Sequence, residues 1–374
     1  MRDAMMLPTG VRSRFVAGVN GLTMHILEAG YETPGRPLAL LLHGFPELAF
    51  SWRKVMQPLA RAGYHVVAPD QRGYGRTTGW SDAYEQDLRP FSLLSLVDDA
   101  SGLVNALGYK AVALLVGHDF GSPVAGWCAM TRPDVFAAVV MMSAPFAGVP
   151  AAALQAANGD AIDAGLAGLA RPRKHYHWYF ATAAANADMR YAPGGLHDFL
   201  RGYFHVKSAD WSANAPQMLR DWSPEQLAQM PTYYIMDRAC TMAETVAPHM
   251  PSPAAIAQCR WLSDAELAVY SSEYGRTGFQ GGLNWYRTRF EPALNAELSR
   301  YAGRTIDVPS MFISGAKDWG TYQAPGALQR MQSGICTRFD GVHLVDGAGH
   351  WVMQEQPDEV SRCLLSFGRR HGFA

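Results

Sequence analysis

The sequence has few cysteines, and their spacing fits neither a disulfide framework nor a metal site. Its 374 residues include five cysteines, an odd number, scattered between Cys128 and Cys363 without the close spacing of metal ligands. Isolated thiols of this kind are typical of proteins in a reducing compartment. We therefore expect no disulfide framework, no metal site and a cytoplasmic location.

Long apolar runs and an excess of charge are also missing. No stretch approaches 18 uncharged apolar residues, and the opening MRDAMMLPTGVRSRF lacks the apolar region of a signal peptide. The formal net charge is −1, and no dense Lys/Arg run forms a nucleic-acid or polybasic membrane surface. We expect no signal peptide, no membrane span and no nucleic-acid partner, so the expected ligand is a small molecule.

Short apolar runs bounded by turn residues are what the chain does have. Four of them lie in the first 145 residues and read PLALLLHG, YHVVAPDQRG, AVALLVGHD and AAVVMMSAP. Runs that are apolar throughout are typical of strands buried on both faces of a parallel sheet. Helical patterns such as SWRKVMQPLARAG and SLLSLVDDASGLVNALG alternate with them, which predicts a doubly wound α/β sheet.

After Pro145 the chain changes to Ala-rich and aromatic-rich segments with helical patterns and no convincing buried strand. The α/β rhythm resumes at PSMFISGAKD and VHLVDGAGH and closes with an amphipathic helix from about Pro357. We therefore predict one α/β core interrupted by a helical cap. The predicted division is core over residues 1–146, cap over residues 147–294 and core over residues 295–374.

Three polar residues stand at or just beyond the ends of predicted core strands. Asp119 ends AVALLVGHD, Asp318 ends MFISGAKD, and His350 follows VHLVDGAG in a glycine-rich loop. Open α/β sheets bind ligands beyond the carboxyl ends of their strands. The order nucleophile, acid, histidine is that of α/β-hydrolases, whose nucleophile is the serine of a G-x-S-x-G turn. Here the turn reads GHDFG, so Asp119 stands where serine is expected.

Each of these residues also has a less specific interpretation. An aspartate at a strand end often caps the following helix, and Asp346, four residues before His350, is the rival acid. We interpret His43 and His118 as hydrogen-bonded braces of the turns around the site. The segment GYGRT, residues 73–77, lacks the lysine and the full glycine pattern of a phosphate-binding loop, so we interpret it as a loop with tight turns.

A carboxylate at this turn changes the expected chemistry to attack on a saturated carbon, with an ester of the enzyme as the product. Water activated by His350, which Asp318 orients, then attacks the carbonyl carbon of Asp119, and general-base help contributes about 10²–10⁴-fold. The oxyanion that forms needs backbone N–H donors. Phe120, which follows the nucleophile, and Phe45 of HGFP are the expected donors.

Several short motifs resemble the core signatures of the α/β-hydrolase-fold epoxide hydrolases, from about residue 37 to the C-terminus: LLHGFPE, SWR, DQRGYG, GHDFGS, GAKD and GAGHWVMQEQP. The resemblance implies the α/β-hydrolase fold, a mostly parallel doubly wound sheet with an inserted helical cap, and a reaction without a cofactor. Haloalkane dehalogenases share these core motifs. The cap therefore has to discriminate between the two reactions.

In the epoxide hydrolases that the chain resembles, two cap tyrosines bind the oxirane oxygen. HYHWYF resembles the first tyrosine segment and gives Tyr176, and GFQGGLNWYR resembles the second and gives Tyr286. Phenols stay protonated at neutral pH and can donate to the leaving alkoxide. Spacing alone leaves Tyr176 and Tyr179 open, because they lie three apart on one helical face, and aromatic residues at helical spacing are often packing residues.

We predict an epoxide hydrolase whose partners are a small lipophilic epoxide and water. The alternative is a haloalkane dehalogenase that uses Asp119, Asp318 and His350, but such enzymes typically have a tryptophan donor where Phe120 stands. Fluoroacetate dehalogenases typically have arginine there. Asp119 disfavours a serine esterase, although Ser122 is nearby, and a binding protein on a hydrolase fold is the remaining hypothesis from another class.

Overall fold

An eight-stranded, mostly parallel sheet forms the core of the protein. The structure, a computed structural model, describes residues 7–149 and 161–373. Its strands are β1 (Val11–Val19), β2 (Leu22–Ala29), β3 (Leu38–Leu42), β4 (His65–Pro69), β5 (Leu114–His118), β6 (Val139–Met142), β7 (Arg173–His175), β8 (Ile235–Asp237), β9 (Ser310–Gly315) and β10 (Phe339–Val345). The main sheet has the order β1-β2-β4-β3-β5-β6-β9-β10. β1 pairs with β2, and β2 with β4, in antiparallel orientation, and the remaining neighbours are parallel.

The strands predicted from apolar runs are β3, β4, β5 and β6 in the first part of the chain and β9 and β10 near its end. Every residue of β3, β4, β5, β6 and β9 is buried, as expected for strands covered on both faces. The register pairs Gly117 of β5 with Leu42 of β3 and with Met141 of β6, so the carboxyl ends of these strands share one edge. The predicted α/β-hydrolase sheet is confirmed.

The hairpin of β1 and β2 was not among the predicted elements. Buried residues in β1 are spaced five and then three apart, and most of the others are exposed. Its pairing with β2 also changes register between Ala17 and Val19. Neither a continuous apolar run nor a strict alternation marks such a strand in the sequence.

The helices alternate with the core strands and fill the segment between β6 and β9. They are α1 (Arg53–Arg61), α2 (Leu93–Ala106), α3 (Gly121–Thr131), α4 (Tyr176–Phe180), α5 (Ala185–Arg190), α6 (Leu196–Lys207), α7 (Pro224–Leu227), α8 (Met242–Val246), α9 (Pro253–Gln258), α10 (Asp264–Thr277), α11 (Gln280–Arg287), α12 (Pro292–Ser299), α13 (Ala327–Arg330), α14 (Val352–Glu355) and α15 (Pro357–Arg370). Residues 161–167 are helical as well. α1, α2 and α15 correspond to the core helices predicted from SWRKVMQPLARAG, from SLLSLVDDASGLVNALG and from about Pro357.

The segment between β6 and β9, here called the insertion, is mostly helical over its described residues, as predicted. It also contains an antiparallel pair of strands, β7 and β8, with Arg173 opposite Asp237. The sequence shows no convincing buried strand in this segment, because RKH and IMD are too short to stand out. The boundaries at residues 147 and 294 stay a prediction.

Close contacts fix the insertion to the core loops that follow β3 and β4. Gly281 in α11 meets Gly73 so closely that a Cβ on Gly281 would lie 2.6 Å from the Gly73 carbonyl carbon. On the neighbouring loop, Tyr270 Oη lies 2.8 Å from Ser51 Oγ. Because α11 carries Tyr286, the contact between Gly281 and Gly73 determines how far Tyr286 lies above the sheet.

The sequence predicts neither a membrane span nor a disulfide framework. Within the described ranges, none of the helices is both long enough and apolar enough to cross a bilayer. All five cysteines are free thiols, and Cys128, Cys336 and Cys363 are buried. The cytoplasmic location stays a prediction.

The antiparallel edge of the sheet depends on a buried carboxylate, and this gives a first prediction. Glu28 of β2 is fully buried and accepts hydrogen bonds from Arg12 at 2.7 Å, Arg14 at 2.5 Å and His65 at 3.0 Å. We expect Glu28→Gln to lower the free energy of unfolding by about 3 kcal/mol, because the three donors lose a charged partner. Chemical denaturation measures this loss, and Asp134→Asn, which removes the exposed Arg132–Asp134 pair, is the matched control with little expected change.

The same carboxylate predicts a pH dependence. Burial raises the pKa of Glu28, but hydrogen bonds from His65, Arg14 and Arg12 outweigh burial and bring the pKa from 4.5 to about 2. A lowered pKa stabilises the fold above the unfolded value, so this contribution is complete above about pH 4.5 and is lost as the pH falls toward 2. The unfolding free energy of Glu28→Gln should therefore change less over this window, and parallel curves for the two proteins would refute the assignment.

Candidate active site

Asp119 lies at a sharp turn between β5 and α3, in a backbone conformation that few side chains adopt. Its φ is +51°, in the left-handed region. Two glycines allow the turn to close: a Cβ on Gly117 would lie 2.6 Å from the Gly121 carbonyl carbon, and a Cβ on Gly121 would lie 2.6 Å from the His43 carbonyl oxygen. Strain of this kind costs about 1–3 kcal/mol and persists where packing over-determines it.

The carboxylate of Asp119 is buried and strongly acidic. Its Oδ1 accepts a hydrogen bond from the Phe45 N–H at 2.9 Å, and the role of Phe45 as an oxyanion donor stays a prediction. Burial raises the pKa of Asp119, but the contact with His350 and the positive charge of Lys207 outweigh burial and hold the pKa well below its ordinary value. The Phe120 N–H makes no hydrogen bond to a described residue, so its role as the second donor stays a prediction.

His350 lies between the two predicted carboxylates. Its Nε2 is 3.3 Å from Asp119 Oδ2, and its Nδ1 is 3.1 Å from Asp318 Oδ1. The geometry of this Nε2 contact falls short of a hydrogen bond, and the buried nitrogen has no hydrogen-bond partner among the described residues. Backbone contacts fix the residue, since its N–H donates to the Lys207 carbonyl at 2.8 Å. Nδ1 of the imidazole therefore contacts Asp318, and Nε2 faces Asp119.

Asp318, not Asp346, is the acid that contacts His350. Oδ1 of Asp318 also accepts the Gly320 N–H at 2.7 Å, and Oδ2 accepts the Ser314 hydroxyl at 3.1 Å. Burial raises the pKa of Asp318, but His350, the Ser143 hydroxyl and the Gly320 N–H outweigh burial, so the pKa is lowered. Asp346 is exposed, although it is much closer to His350 in the sequence.

Ser143 joins this pair and was not singled out from the sequence. It follows β6 with a φ of +70° and is fully buried. Its hydroxyl donates to Asp318 Oδ2 and lies 2.8 Å from His350 Nδ1. The rule that pointed to Asp119 and Asp318, a polar residue just beyond a buried strand, also applies to the serine of MMSAP and could have found it.

A buried ion pair of Glu47 and His118 lies beneath the site and contacts the backbone of His350. His118 Nδ1 lies 2.6 Å from Glu47 Oε2, and its Nε2 lies 2.7 Å from the His350 carbonyl oxygen. Because both ring nitrogens face acceptors, both carry protons. Burial lowers the pKa of His118, but the Glu47 charge outweighs burial and raises the pKa. Glu47, the last residue of LLHGFPE, was not predicted as a site residue, and its Oε1 is buried without a partner among the described residues.

His43 also forms the hydrogen bonds of a bracing residue. Its Nδ1 lies 2.8 Å from the Gly44 carbonyl oxygen, and its Nε2 accepts the Gln71 N–H at 3.1 Å. The loop read as GYGRT is held in turn by Asp70, whose Oδ2 accepts the Arg76 N–H at 2.9 Å. These contacts shape the floor of the site.

Tyr176 and Tyr286 lie together above Asp119. Their ring centroids are 5.9 Å apart, and both side chains are buried. The Tyr176 hydroxyl donates to Gln323 Oε1 at 3.1 Å, and the Tyr286 ring lies edge-on to Phe120 at 5.2 Å. Burial first, and then the negative charge of Asp119, raises the pKa of both phenols well above 10, so both are protonated at neutral pH.

Tyr179, the alternative to Tyr176 on spacing, has a different environment. Its hydroxyl donates to Asp188 Oδ2 at 3.1 Å, and the Lys174 ammonium lies 4.9 Å from its ring centroid. Burial, together with Asp188, raises the pKa of Tyr179, and Asp119 is not among the largest causes. The structure therefore brings Tyr176, rather than Tyr179, to Tyr286 and Asp119.

Lys207, at the end of α6, is a buried cation that the sequence did not reveal. Its ammonium lies 5.0–5.5 Å from the ring centroids of Tyr203, Tyr234 and Trp351. Burial lowers the pKa of Lys207, and the carboxylates of Asp119 and Asp318 oppose this effect. The lysine balances part of the negative charge of the site.

The chain is similar to known epoxide hydrolases along nearly its full length. Residues 37–164 match the family model described as alpha/beta hydrolase fold. Epoxide hydrolase A of Mycobacterium tuberculosis is 35% identical over 370 residues, which cover 96% of this chain and 98% of that protein. Epoxide hydrolase B of the same organism is 31% identical, with 94% and 97% covered. The solved structure of an epoxide hydrolase from an endophytic Streptomyces has a TM-score of 0.79 and 31% identity, and 97% of each chain is covered.

The packing around the turn at Asp119 gives a second prediction. Gly121→Ala should lower turnover by about 10²-fold, because its Cβ would push the turn away from the backbone of Leu42 and His43 and displace the carboxylate. The loss of stability should be about 1–3 kcal/mol. Gly102→Ala in α2 is the control, since the nearest atom to its Cβ lies at 3.6 Å. Unchanged turnover in Gly121→Ala would show that the turn is not under the constraint inferred here.

Proposed function

The chain belongs to the epoxide hydrolases of the α/β-hydrolase fold, and we propose that it converts an epoxide and water to a vicinal diol through a covalent ester on Asp119. One observation carries the proposal: an ionised carboxylate at a sharp turn lies 3.3 Å from His350, below two protonated phenols. Phenyl rings surround Tyr286, with centroids 5.1 Å away for Phe180, 5.2 Å for Phe120 and 5.5 Å for Phe45. Such surroundings favour a lipophilic epoxide.

In the first half of the proposed reaction, Asp119 opens the ring. Its Oδ2 forms a bond to a ring carbon, and the bond between this carbon and the oxirane oxygen breaks. Tyr176 and Tyr286 donate hydrogen bonds to the departing oxygen, and one of them gives it a proton. Donors are needed because an alkoxide is a strongly basic leaving group. Oδ1 keeps its hydrogen bond from Phe45 and becomes the carbonyl oxygen of the ester.

In the second half, water cleaves the ester. His350 Nε2 accepts a proton from the water, whose oxygen bonds to the carbonyl carbon of Asp119, and Asp318 stabilises the imidazolium. Negative charge collects on Oδ1, where Phe45 and Phe120 are the proposed donors, each contributing on the order of 3 kcal/mol. The carbon–oxygen bond to the diol then breaks, and the diol oxygen takes the proton from His350. The second proton of the attacking water, which is left on the Asp119 carboxyl group, returns to the tyrosinate and restores the resting site. Glu47 Oε1 and His350 Nε2 are buried polar atoms without a hydrogen-bond partner among the described residues, which supports a bound water beside them.

Isotope labelling of a single turnover tests the covalent route. With enzyme in excess over styrene oxide in ¹⁸O-labelled water, we expect the first diol to be unlabelled, because its new oxygen comes from Asp119. Label should then appear in the Asp119 peptide by mass spectrometry. Asp119→Asn should lose multiple turnover. Label in the diol formed by the first turnover would refute the covalent ester.

A matched pair of tyrosine variants tests the donors. We expect Tyr176→Phe to lower kcat/KM for styrene oxide by about 10²-fold, since the alkoxide loses one of its two donors. Tyr179→Phe removes a hydroxyl three residues away that bonds to Asp188, and it should retain the rate. Thermal unfolding of both variants controls for folding. A loss in Tyr179→Phe that equals the loss in Tyr176→Phe would exclude the assignment of Tyr176.

A further inference from the structure

One side chain of the core, Gln323, holds the hydroxyl of Tyr176. The phenol donates to Gln323 Oε1 at 3.1 Å. Gln323 follows β9 and lies just beyond a short 3-10 helix, Trp319–Thr321, which Asp318 caps by accepting the Gly320 N–H. The core loop that carries the acid of the site therefore also contacts one of the two insertion phenols.

The two phenols differ in this respect. Phenylalanine rings surround Tyr286, and its hydroxyl makes no hydrogen bond within residues 7–149 and 161–373. Burial opposes ionisation of both phenols, so a tyrosinate forms more readily where a polar side chain lies beside the oxygen. Of the two, Tyr176 is the phenol with such a neighbour.

The amide of Gln323 also has an unused donor. Its Nε2 makes no hydrogen bond to any described residue, and the side chain is half-buried. The last torsion of a glutamine is roughly two-fold, and a half turn about it exchanges the positions of Oε1 and Nε2. This turn breaks no other protein hydrogen bond, and it lets Nε2 donate to the Tyr176 oxygen. The Tyr176 proton is then free to face the oxirane oxygen.

We propose that Gln323 is a positioning residue whose amide N–H donates to the Tyr176 oxygen during ring opening, so that Tyr176, and not Tyr286, gives the proton. The O–H bond of Tyr176 breaks as the ring carbon–oxygen bond breaks. The proton bonds to the oxirane oxygen, and the electron pair stays on the Tyr176 oxygen as a tyrosinate. A hydrogen bond to a charged oxygen is about twice as strong as one between neutral groups, so the amide contributes most at this step. Tyr286 keeps its proton and donates a hydrogen bond only. This inference rests on the proposed function, because it assigns the proton donor of its first half.

Two substitutions of similar length separate a donor at this position from an acceptor. Gln323→Met removes both. Gln323→Glu keeps the acceptor that holds the phenol at rest, but at about pH 8 it has no proton to donate and carries a negative charge. We expect Gln323→Met to slow ring opening about tenfold, because the tyrosinate loses a charge-assisted hydrogen bond. We expect Gln323→Glu to slow it about 10²-fold, because the tyrosinate also meets a like charge. The loss of styrene oxide in acid-quenched single turnovers, with enzyme in excess, measures ring opening apart from ester hydrolysis.

Gln329→Glu is the control for an added negative charge, since Gln329 is exposed on the nearby helix α13. It should keep the rate of the intact chain, and thermal unfolding of all three variants controls for folding. If Gln323→Glu opens the ring no more slowly than Gln323→Met does, the side chain only holds the phenol at rest. That result would overturn this proposal and leave the proposed function intact. No consumption of styrene oxide by the intact chain would instead overturn the proposed function, and this inference with it.

Discussion

A carboxylate that stays ionised inside the protein is the constraint on which the rest of the site depends. Burying an ion costs several kcal/mol even after relaxation, and the surroundings have to offset this. Around Asp119 the offset comes from the Phe45 N–H at 2.9 Å, from His350 at 3.3 Å and from the charge of Lys207. Their combined effect keeps the pKa low although burial raises it. Each of these groups therefore stabilises the negative charge of Asp119.

The insertion completes the site as well as covering it. The His350 N–H donates to the carbonyl of Lys207, at the end of α6, so the histidine loop is tied to the insertion at 2.8 Å. Glu355 strengthens the tie, because one of its oxygens accepts both the Gly349 N–H at 3.0 Å and the Ala209 N–H at 2.7 Å. Since α11, which carries Tyr286, is also held against the core at Gly281, Tyr286 and His350 are both fixed relative to Asp119.

Much of the core could be read from the sequence, because strands such as β3 and β5 are buried on both faces and therefore apolar throughout. Asp119 and Asp318 were readable for a related reason, as polar residues just beyond such strands. Ser143 obeys the same rule, but a single hydroxyl carries less chemical meaning than a carboxylate. Lys207 was not readable, since its role depends on rings brought from distant parts of the chain.

The choice between Tyr176 and Tyr179 shows where local reasoning ends. Both lie on α4, and both are buried, so neither spacing nor apolarity separates them. What separates them is the path of the chain around the helix, which puts Asp188 beside one hydroxyl and Tyr286 beside the other. Hydrogen-bond partners of this kind are set by tertiary contacts between segments far apart in the sequence. Only the resemblance to a family pointed to Tyr176 beforehand.

The charge of Asp119 also links the nucleophile of the proposed reaction to the phenols that donate the proton. In the resting site the negative charge of Asp119 adds to burial in raising the pKa of Tyr176 and Tyr286, which keeps both phenols protonated. When Asp119 forms the ester, that charge leaves the carboxylate and appears on the oxirane oxygen. The field that opposed ionisation of the phenols is then gone at the moment when the oxygen needs a proton. A neutral serine at position 119 would not provide this coupling, so in the proposed reaction the carboxylate supplies both the attack and the timing of proton donation.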